Sequence, residues 1–206
     1  MGEVLYQGAE AKICKSEYLG MSSVEKRRLK KSYRISEIDS RLISQRTREE
    51  VKLISLARKC GVCAPLIYDV DVSNGVIVME YLNGDKIKDI LDGLSESEQE
   101  KLCFKIGQSI ARLHNNGIIH GDITTSNMIL VDDKVHFIDF GLGCIDSEVE
   151  SMGVDLHVLM EAFESTHSQI PKCFDYVLLG YKKEFKGSFK IVENKIKDIV
   201  RRGRYR

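Results

Sequence analysis

The chain has 206 residues, of which 43% are apolar and 30% charged, and this composition suits one globular domain or two small lobes that share a cleft. No apolar run approaches the roughly 20 residues of a membrane-spanning helix, and the N-terminus lacks the order of a secretory signal, so we expect a cytoplasmic protein with no membrane partner. Six scattered cysteines argue against a disulfide framework, and Cys60 and Cys63 lack the second pair of a zinc site, so we interpret both as buried or incidental thiols.

Basic residues are unevenly distributed, although 31 of them balance 31 acidic residues. One cluster comprises Lys26, Arg27, Arg28, Lys30, Lys31 and Arg34, and a second, at the C-terminal end, comprises Arg201, Arg202, Arg204 and Arg206. Clustered cations indicate a phosphate-rich partner, whatever the net charge is. A solvated surface with an unstructured end explains the C-terminal cluster equally well.

Three strands are predicted at the beginning of the chain, over residues 3–7, 12–19 and 21–29. The first two are joined by Gly8-Ala9-Glu10-Ala11, and a turn with glycine and small side chains lets backbone N–H groups approach phosphate oxygens. This turn has a single glycine and adds an acid, so a plain hairpin turn is the better interpretation when it is taken alone. Its position ahead of a strand that carries lysine makes it a candidate phosphate loop.

The third strand carries two candidate cations for a cleft. Alternation along a strand places Lys26 and Arg28 on one face, so the two compete for the cleft position. A long helical region is predicted over residues 36–60, as one helix or two, and Thr47 with Glu50 has the spacing of a capping box. Glu50 therefore either caps a helix or reaches the cleft and pairs with Lys26.

Two further strands are predicted over residues 66–72 and 76–81, around an Asn74-Gly75 pair that is typical of a type I′ hairpin turn. Asn83-Gly84 then predicts a turn that suits a hinge between two lobes. A pocket for a planar base needs a backbone donor, a backbone acceptor and apolar walls. Glu80 and Leu82 are candidates for the backbone groups, and Met79 is the candidate side chain at the pocket wall, a core residue, or both.

Helical patterns dominate the second half of the chain. The capping box Ser95-Glu96-Ser97-Glu98 opens a helix that we predict to reach about Asn115. Further helices are predicted from Gly153 to about Thr166, from Pro171 onward, and from Val192 to Val200. Strands first and helices afterwards predict the α+β class.

Two turns rich in hydrogen-bond acceptors lie at the centre of the chain. They read His120-Gly121-Asp122-Ile123-Thr124-Thr125-Ser126-Asn127 and Phe137-Ile138-Asp139-Phe140-Gly141, and a short apolar hairpin joins them. Carboxylate and amide oxygens suit Mg²⁺, which neutralises a nucleoside triphosphate. Four residues separate Asp122 from Asn127, as in the catalytic loop of protein kinases, and Asp139 begins an Asp-Phe-Gly turn. The alternative is two ordinary turns that contain aspartate.

With these motifs in order, the chain resembles a small protein kinase and is similar to one atypical family, the kinase/ATPase subunit of the KEOPS (EKC) complex. The residues that carry the resemblance are Gln7 to Ala11, Lys26, Lys31-Ser32-Tyr33-Arg34, Arg46 to Glu50, His120 to Asn127, Ile138 to Leu142, Gly153 to Leu156, and Arg202-Gly203-Arg204. The resemblance implies a small bilobal protein-kinase-like fold. An N-terminal lobe with an antiparallel sheet and helices spans residues 1–82, and a reduced, mainly helical C-terminal lobe with the basic tail spans residues 83–206.

The resemblance also implies ATP and Mg²⁺ as cofactors. Asp122 is then the catalytic aspartate, Lys26 binds phosphates and pairs with Glu50, and Asn127 and Asp139 are the metal ligands. Asp155 is a structural acid that supports the catalytic loop. The full set of implied nucleotide-binding residues is Gly8, Ala9, Glu10, Ala11, Lys26, Glu50, Met79, Glu80 and Leu82.

The implied activity is ATP hydrolysis with Ser/Thr autophosphorylation, in the complex that installs threonylcarbamoyl adenosine on tRNA. The implied partners are the metal-dependent threonylcarbamoyl transferase subunit, a small regulatory subunit of KEOPS, and tRNA through the basic tail. Two residues depart from the family pattern: Glu25 stands where an apolar residue is expected, and Ser36 where proline is common. Neither touches the chemistry.

Two features of the residues themselves favour a nucleotide switch over a kinase for separate peptides. Gly121 replaces the arginine that pairs with an activation-loop phosphate, and only eleven residues lie between Gly141 and Gly153. Water or a partner's residue is then the acceptor. The alternatives are a RIO-like kinase that acts on separate substrates and a non-catalytic, ATP-dependent scaffold that binds tRNA. The intact set of Asp122, Asn127 and Asp139 argues against the scaffold.

Overall fold

The computed structural model describes residues 3–203, in which an antiparallel sheet with one long helix is followed by a mainly helical part. The strands of the sheet are β1 (Val4–Gln7), β2 (Ala11–Tyr18), β3 (Met21–Arg28), β4 (Ile67–Asp71) and β5 (Val76–Glu80). Their order is β1-β2-β3-β5-β4, and every neighbouring pair is antiparallel. The prediction of an α+β fold with an N-terminal antiparallel sheet is confirmed.

A single helix, α1 (Ser36–Lys59), connects β3 to β4. The predicted capping box is wrong, because Thr47 lies in the middle of this helix and is fully buried. Its hydroxyl donates to the carbonyl oxygen of Ile43 one turn earlier, at 2.7 Å. This bond satisfies the hydroxyl without ending the helix. Glu50 is therefore available for the cleft.

The connection between β4 and β5 is a four-residue turn, so the predicted type I′ turn is wrong. Type I′ requires positive φ at both central residues, but only Gly75 has a positive φ there, of 66°. Asn74 instead donates to the carboxylate of Asp71 from its backbone N–H, at 3.0 Å, and from its side chain, at 2.7 Å. These bonds favour a wider turn.

The second part of the chain combines helices with short strands. The helices are α2 (Ile87–Ile90), α3 (Glu96–Asn115), α4 (Val149–Thr166), α5 (Cys173–Glu184) and α6 (Phe189–Gly203), with 3₁₀ turns at Leu91–Gly93 and Thr125–Asn127. The strands are β6 (Asp85–Lys86), β7 (Ile118–Ile119), β8 (Met128–Val131), β9 (Lys134–Phe137) and β10 (Cys144–Ile145). Within residues 3–203, we find no helix with the length and apolar character needed to cross a membrane.

Helix boundaries were predicted with mixed success. The capping box of α3 is confirmed, because Ser95 and Glu98 exchange hydrogen bonds between side chain and backbone. Helix α4 begins at Val149, four residues before the predicted start at Gly153. Gly153 instead permits α4 to pack closely on α6, since a Cβ there would lie 2.6 Å from Cγ of Lys195. Helix α5 begins two residues after Pro171, and α6 is longer than predicted at both ends.

One apolar core lies beneath the cleft and joins the two parts of the chain. The predicted stripe of α3 (Leu102, Ile106, Ile110 and Leu113) is buried in it, together with Leu53 and Ile54 of α1. All six cysteines are free, and Cys60 and Cys63 are half-buried. Burial raises the pKa of the Cys60 thiol, so this thiol is not activated as a nucleophile.

Candidate active site

The loop after β7 is shaped by a glycine. Gly121 has φ of 81°, in the region that favours glycine, and a Cβ there would lie 2.2 Å from the carbonyl oxygen of Leu142. The loop is therefore pressed against the segment that follows Gly141. An arginine at position 121, the residue expected in kinases switched by loop phosphorylation, does not fit this backbone.

Asp155 of α4 holds the start of the loop. Its two carboxylate oxygens accept the backbone N–H groups of His120 and Gly121, each at 2.8 Å, and Asp155 is 1% exposed. His114 of α3 supports the same carboxylate at 3.3 Å. Hydrogen bonds that backbone N–H groups donate to a buried carboxylate are among the stronger kinds. This geometry fits the structural role expected for Asp155.

His120 fixes the distance between the loop and the second turn. Its Nε2–H donates to the carbonyl oxygen of Ile138 at 3.1 Å, and its Nδ1 accepts the N–H of Asp122 at 3.3 Å. Full burial lowers the pKa of His120, although Asp155 and other carboxylates act in the opposite direction. His120 is therefore neutral at pH 7, in the tautomer that these two hydrogen bonds require.

Asp122 and Asn127 contact each other at the end of the loop. The side-chain nitrogen of Asn127 donates to the backbone oxygen of Asp122 at 3.0 Å and to its carboxylate at 2.8 Å. Asp122 is half-buried, so its carboxylate retains access to solvent at the end of the loop. A carboxylate held in this way can orient a hydroxyl group or a water molecule and accept its proton.

Asp139 has φ of 62°, in the left-handed region that residues other than glycine rarely adopt. Its carboxylate accepts Lys26 at 2.7 Å and the N–H of Gly141 at 3.2 Å. Partial burial acts to raise the pKa of Asp139, but the charge and hydrogen bond of Lys26, together with the Gly141 N–H, hold this pKa below its usual range. Asp139 is therefore ionised at neutral pH.

Lys26, Arg28 and Glu50 form a buried ionic cluster. One oxygen of Glu50 accepts Lys26 and the other accepts Arg28, both at 2.6 Å. Both cations therefore face Glu50, and Lys26 also contacts Asp139. Burial acts to lower the pKa of Lys26, but Glu50 and Asp139 outweigh it and raise this pKa. Lys26 is therefore a permanent cation between the helix glutamate and the Asp-Phe-Gly turn.

The donor set of the cleft suits Mg²⁺. Asp139 offers a carboxylate that is 45% exposed, and Asn127 uses its amide nitrogen on Asp122, which leaves the amide oxygen as a ligand. Mg²⁺ in nucleotide sites takes one or two such oxygens from the protein and the others from phosphates and water. Between residues 3 and 203, we find no group of three or more His, Cys, Asp or Glu side chains arranged to hold a metal ion.

The candidate phosphate loop, from Gly8 to Ala11, is held by exposed contacts. Glu10 pairs with Arg46 of α1, and the amine of Lys31 donates to the carbonyl oxygen of Ala9. The Glu10 side chain is 50% exposed. The side-chain contacts of this loop therefore lie at the surface, and its backbone is held by the Gly8 N–H on the Ala11 carbonyl oxygen and the Leu29 N–H on the Glu10 carbonyl oxygen, both at 3.0 Å.

The candidate hinge residues lie between the sheet and the β8–β9 hairpin. Met79 is 7% exposed, and the N–H of Glu80 already donates to Leu66, so only the carbonyl of Glu80 remains for a base. A cavity of about 320 Å³ is lined by Glu80, Tyr81, Leu82, Asn83, Val131, Asp132, Lys134 and His136. Glu80 and Leu82 line this cavity, whereas Met79 and the acidic and amide residues of the cleft do not, so their assignment to a nucleotide pocket stays a prediction.

Three polar residues that form part of the site's support were not predicted. Thr125, inside the catalytic loop, contacts His167 at the end of α4, and His167 contacts Asp92. His167 and Asp92 are separated by 75 positions, so no spacing along the chain indicates their contact. A histidine directly after a predicted helix was the single available signal, and it does not identify a partner.

Comparison with known proteins agrees with this geometry. A model of the protein kinase domain matches residues 12–167, which include the ionic cluster, both acceptor turns and Asp155. Among solved structures, WaaP in complex with acyl carrier protein superposes with a TM-score of 0.68, covers 100% of this chain and 87% of that chain, and has 13% identity. This likeness shows the protein kinase-like fold alone.

Full-length relatives define the family more narrowly. The KEOPS complex subunit Bud32 of Pyrococcus abyssi is 44% identical over 99% of this chain and 96% of its own length. A probable serine/threonine-protein kinase BUD32 homolog of Archaeoglobus fulgidus is 39% identical over 98% of this chain and 95% of its own length. A probable bifunctional tRNA threonylcarbamoyladenosine biosynthesis protein of Methanothermobacter thermautotrophicus is 45% identical over 98% of this chain but 36% of its own length. The chain therefore belongs to the protein kinase family and, within it, to the Bud32 family.

Proposed function

We propose that this protein is a Mg²⁺-dependent ATPase and autophosphorylating Ser/Thr kinase that acts within a KEOPS-type assembly in threonylcarbamoyl adenosine modification of tRNA. The observation that carries the proposal is the position of Lys26, which contacts Glu50 at 2.6 Å and Asp139 at 2.7 Å. The pair between the strand lysine and the helix glutamate is one that protein kinases need for phosphoryl transfer, and it lies next to the aspartate of the Asp-Phe-Gly turn, which would hold Mg²⁺. The names of the full-length relatives support the choice of assembly.

Each residue of the cleft has a role in the proposal. Lys26 binds the phosphates and is held by Glu50, while Asn127 and Asp139 hold Mg²⁺. The ion, when bound, neutralises the charge that develops on the phosphates. Asp122 orients the acceptor and takes its proton, which is general-base catalysis. We also propose that residues 1–82 and 83–206 act as two lobes around this cleft.

The acceptor in this proposal is water or a residue that the assembly supplies. Helix α4 begins at Val149, so residues 142–148 are all that separates it from the Asp-Phe-Gly turn. The tight backbone at Gly121 excludes the arginine that would respond to a phosphorylated activation loop. This supports ATP hydrolysis over transfer to separate peptides.

The first experiment measures ATP turnover with Mg²⁺ for the wild type and for Asp122→Asn, each alone and then with the catalytic KEOPS subunit and tRNA. We expect turnover to rise with the partners and to fall by roughly 10²–10⁴-fold in the variant, the usual contribution of a general base. Nucleotide binding by the variant is the control. Equal, negligible turnover in every arm would leave an ATP-dependent scaffold, and phosphate transfer to a separate protein without partners would favour the RIO-like alternative.

The basic tail is proposed to bind tRNA. Arg201 pairs with Asp198, and Arg202 pairs with Glu150, through exposed contacts that phosphates can replace. Arg204 and Arg206 lie outside the described residues. Deletion of residues 201–206 is expected to weaken tRNA binding and to reduce its salt dependence by about 0.7–0.9 in slope for each lost phosphate contact. Lys190→Gln, an exposed change elsewhere on α6, is the control, and an unchanged slope would remove the tail from the proposal.

The remaining parts of the proposal concern partners and location. The catalytic threonylcarbamoyl transferase subunit and a small regulatory subunit are the proposed protein partners, on the strength of the family. A cytoplasmic location is proposed because six free cysteines suit a reducing compartment.

A further inference from the structure

A chain of polar groups runs from the surface to the catalytic loop. Oδ1 of Asp92 lies 2.5 Å from Nδ1 of His167, and Nε2 of His167 lies 2.9 Å from Oγ1 of Thr125. Thr125 and His167 are each 1% exposed, whereas the Asp92 side chain is 46% exposed. The three residues come from the 3₁₀ turn Leu91–Gly93, the end of α4 and the catalytic loop.

Each proton in this chain follows from the chemistry of its neighbour. An ionised carboxylate is an acceptor, so His167 carries its proton on Nδ1 and donates it to Asp92. When the imidazole is neutral, Nε2 is an acceptor and the hydroxyl of Thr125 donates to it. The sequence of groups equals that of an Asp-His-nucleophile triad. Thr125 is buried, however, so its hydroxyl is not accessible to a substrate. The arrangement therefore holds Thr125 in position and does not make it a nucleophile.

The position of Thr125 decides what the chain holds in place. Thr125 is the first residue of the 3₁₀ turn that ends at Asn127. The N–H of Asn127 donates to the carbonyl oxygen of Thr124 at 3.0 Å, and its side chain contacts Asp122. Asp155 holds the start of the loop, so the bond to Thr125 is the corresponding side-chain anchor near its end.

We propose that His167, oriented by Asp92, is a positioning residue for phosphoryl transfer. Its hydrogen bond to Thr125 holds the 3₁₀ turn so that Asn127 stays in contact with Asp122. The inference rests on the proposed function where it concerns turnover. It goes beyond that function because it assigns a role to three residues that the proposed reaction does not use.

Two substitutions of Thr125 separate this role from simple packing. Thr125→Val keeps the shape and removes the hydroxyl, while Thr125→Ser keeps the hydroxyl and removes a methyl group. We expect Thr125→Val to lower kcat by about 10–10²-fold, the range for a small displacement of catalytic groups, with KM for ATP changed less than about twofold. Thr125→Ser is expected to retain most of the turnover. If packing is all that matters, the serine variant will be the weaker one, and the proposal is overturned.

Asp92 provides a second, independent test. Asp92→Ala is expected to lower kcat in the same way, because His167 loses the group that fixes its tautomer. The double variant Asp92→Ala/Thr125→Val is expected to lose no more than Thr125→Val alone, since both changes break one chain of bonds. Additive losses would contradict the proposal. Ser109→Ala, which removes a side-chain bond to the Lys105 carbonyl on α3, controls for general loss of hydrogen bonding.

Two measurements on the folded protein do not depend on turnover. NMR of ¹⁵N-labelled histidine is expected to show a slowly exchanging Nδ1–H on His167 that disappears in Asp92→Ala. The amide of Asn127 is expected to exchange faster with solvent in Thr125→Val than in Thr125→Ser. If the wild type shows these signals but no turnover, the proposed function is wrong, but the hydrogen bond of Thr125 to His167 still holds the 3₁₀ turn as inferred. If the wild type turns over ATP and Thr125→Val matches it in kcat and in amide exchange, the inference fails alone.

Discussion

The two walls of the cleft are built in different ways. The catalytic loop is held by buried groups: both oxygens of Asp155 bind its backbone at 2.8 Å, and His120 is fully buried between it and Ile138. The candidate phosphate loop is held by Glu10, which is 50% exposed, and by the exposed amine of Lys31. The side-chain contacts that hold the catalytic loop are buried in the core, whereas those that hold the candidate phosphate loop are exposed at the surface.

Under the proposed function, this difference corresponds to what each wall has to do. Groups that meet the reacting atoms must be held within fractions of an ångström, and buried hydrogen bonds in a low dielectric provide this rigidity. A loop that covers phosphates has to move when a nucleotide enters, and exposed ion pairs of low net energy permit such movement. The ionic cluster around Glu50 connects the two walls through Lys26 and Asp139.

The largest expected effect comes from Glu50→Gln. Lys26 and Arg28 are then left buried without their shared carboxylate, and breaking a buried ion pair from one side costs about 3–5 kcal/mol of unfolding free energy. Chemical denaturation measures this loss, and Glu10→Gln is the matched control because Glu10 also pairs with an arginine but at the surface. Losses of equal size in the two variants would contradict the contrast between the walls.

A smaller loss is expected from Asp155→Asn, which keeps the shape of the side chain but removes its charge. Hydrogen bonds to charged groups contribute about 1.5–3 kcal/mol; both backbone N–H groups lose a charged acceptor, and one of them loses its acceptor oxygen altogether. We expect a loss of unfolding free energy in this range and faster hydrogen exchange at the amide of Gly121. Unchanged exchange there would mean that the loop is held without Asp155.

The lowered pKa of the buried His120 should make the free energy of unfolding depend on pH. Burial holds its pKa below the ordinary value of 6.5, so the unfolded chain takes up a proton before the folded one does. Unfolding free energy should therefore fall as pH decreases below 6.5, by at most about 1.4 kcal/mol per pH unit from this group. Denaturation between pH 5 and 7.5 measures the slope, and His120→Gln should reduce it. An identical slope in the variant would place the titration elsewhere.

The smallest effect is expected from Glu10→Gln. An exposed ion pair contributes about 0.2–1 kcal/mol, and this contribution should vanish at high salt. Because the acid stands where phosphates are expected, its removal should lower KM for ATP slightly while kcat is unchanged. A higher KM would show that Glu10 assists nucleotide binding. That result would give the candidate phosphate loop a more specific role.

Most of the fold was predictable, because local rules and tertiary structure agree there. The capping box at Ser95 and the apolar stripe of α3 are satisfied within one helix and its neighbours. Predictions failed where the local sequence pattern and the tertiary packing favoured different roles for the same residue. Thr47 bonds inside α1 instead of capping it, and Gly153 permits close packing of α4 on α6 instead of starting a helix.

The sequence by itself determined the identity and order of the candidate catalytic and metal-binding residues, because Asp122, Asn127 and Asp139 lie in short turns whose spacing is set locally. It also placed Lys26 and Arg28 on one face of a strand. Only the tertiary structure decided that Glu50 binds both cations and that Asp92 orients His167 against Thr125. The physical reason is that a buried polar group must find its partner among whatever packs against it, and packing brings together positions far apart in the chain.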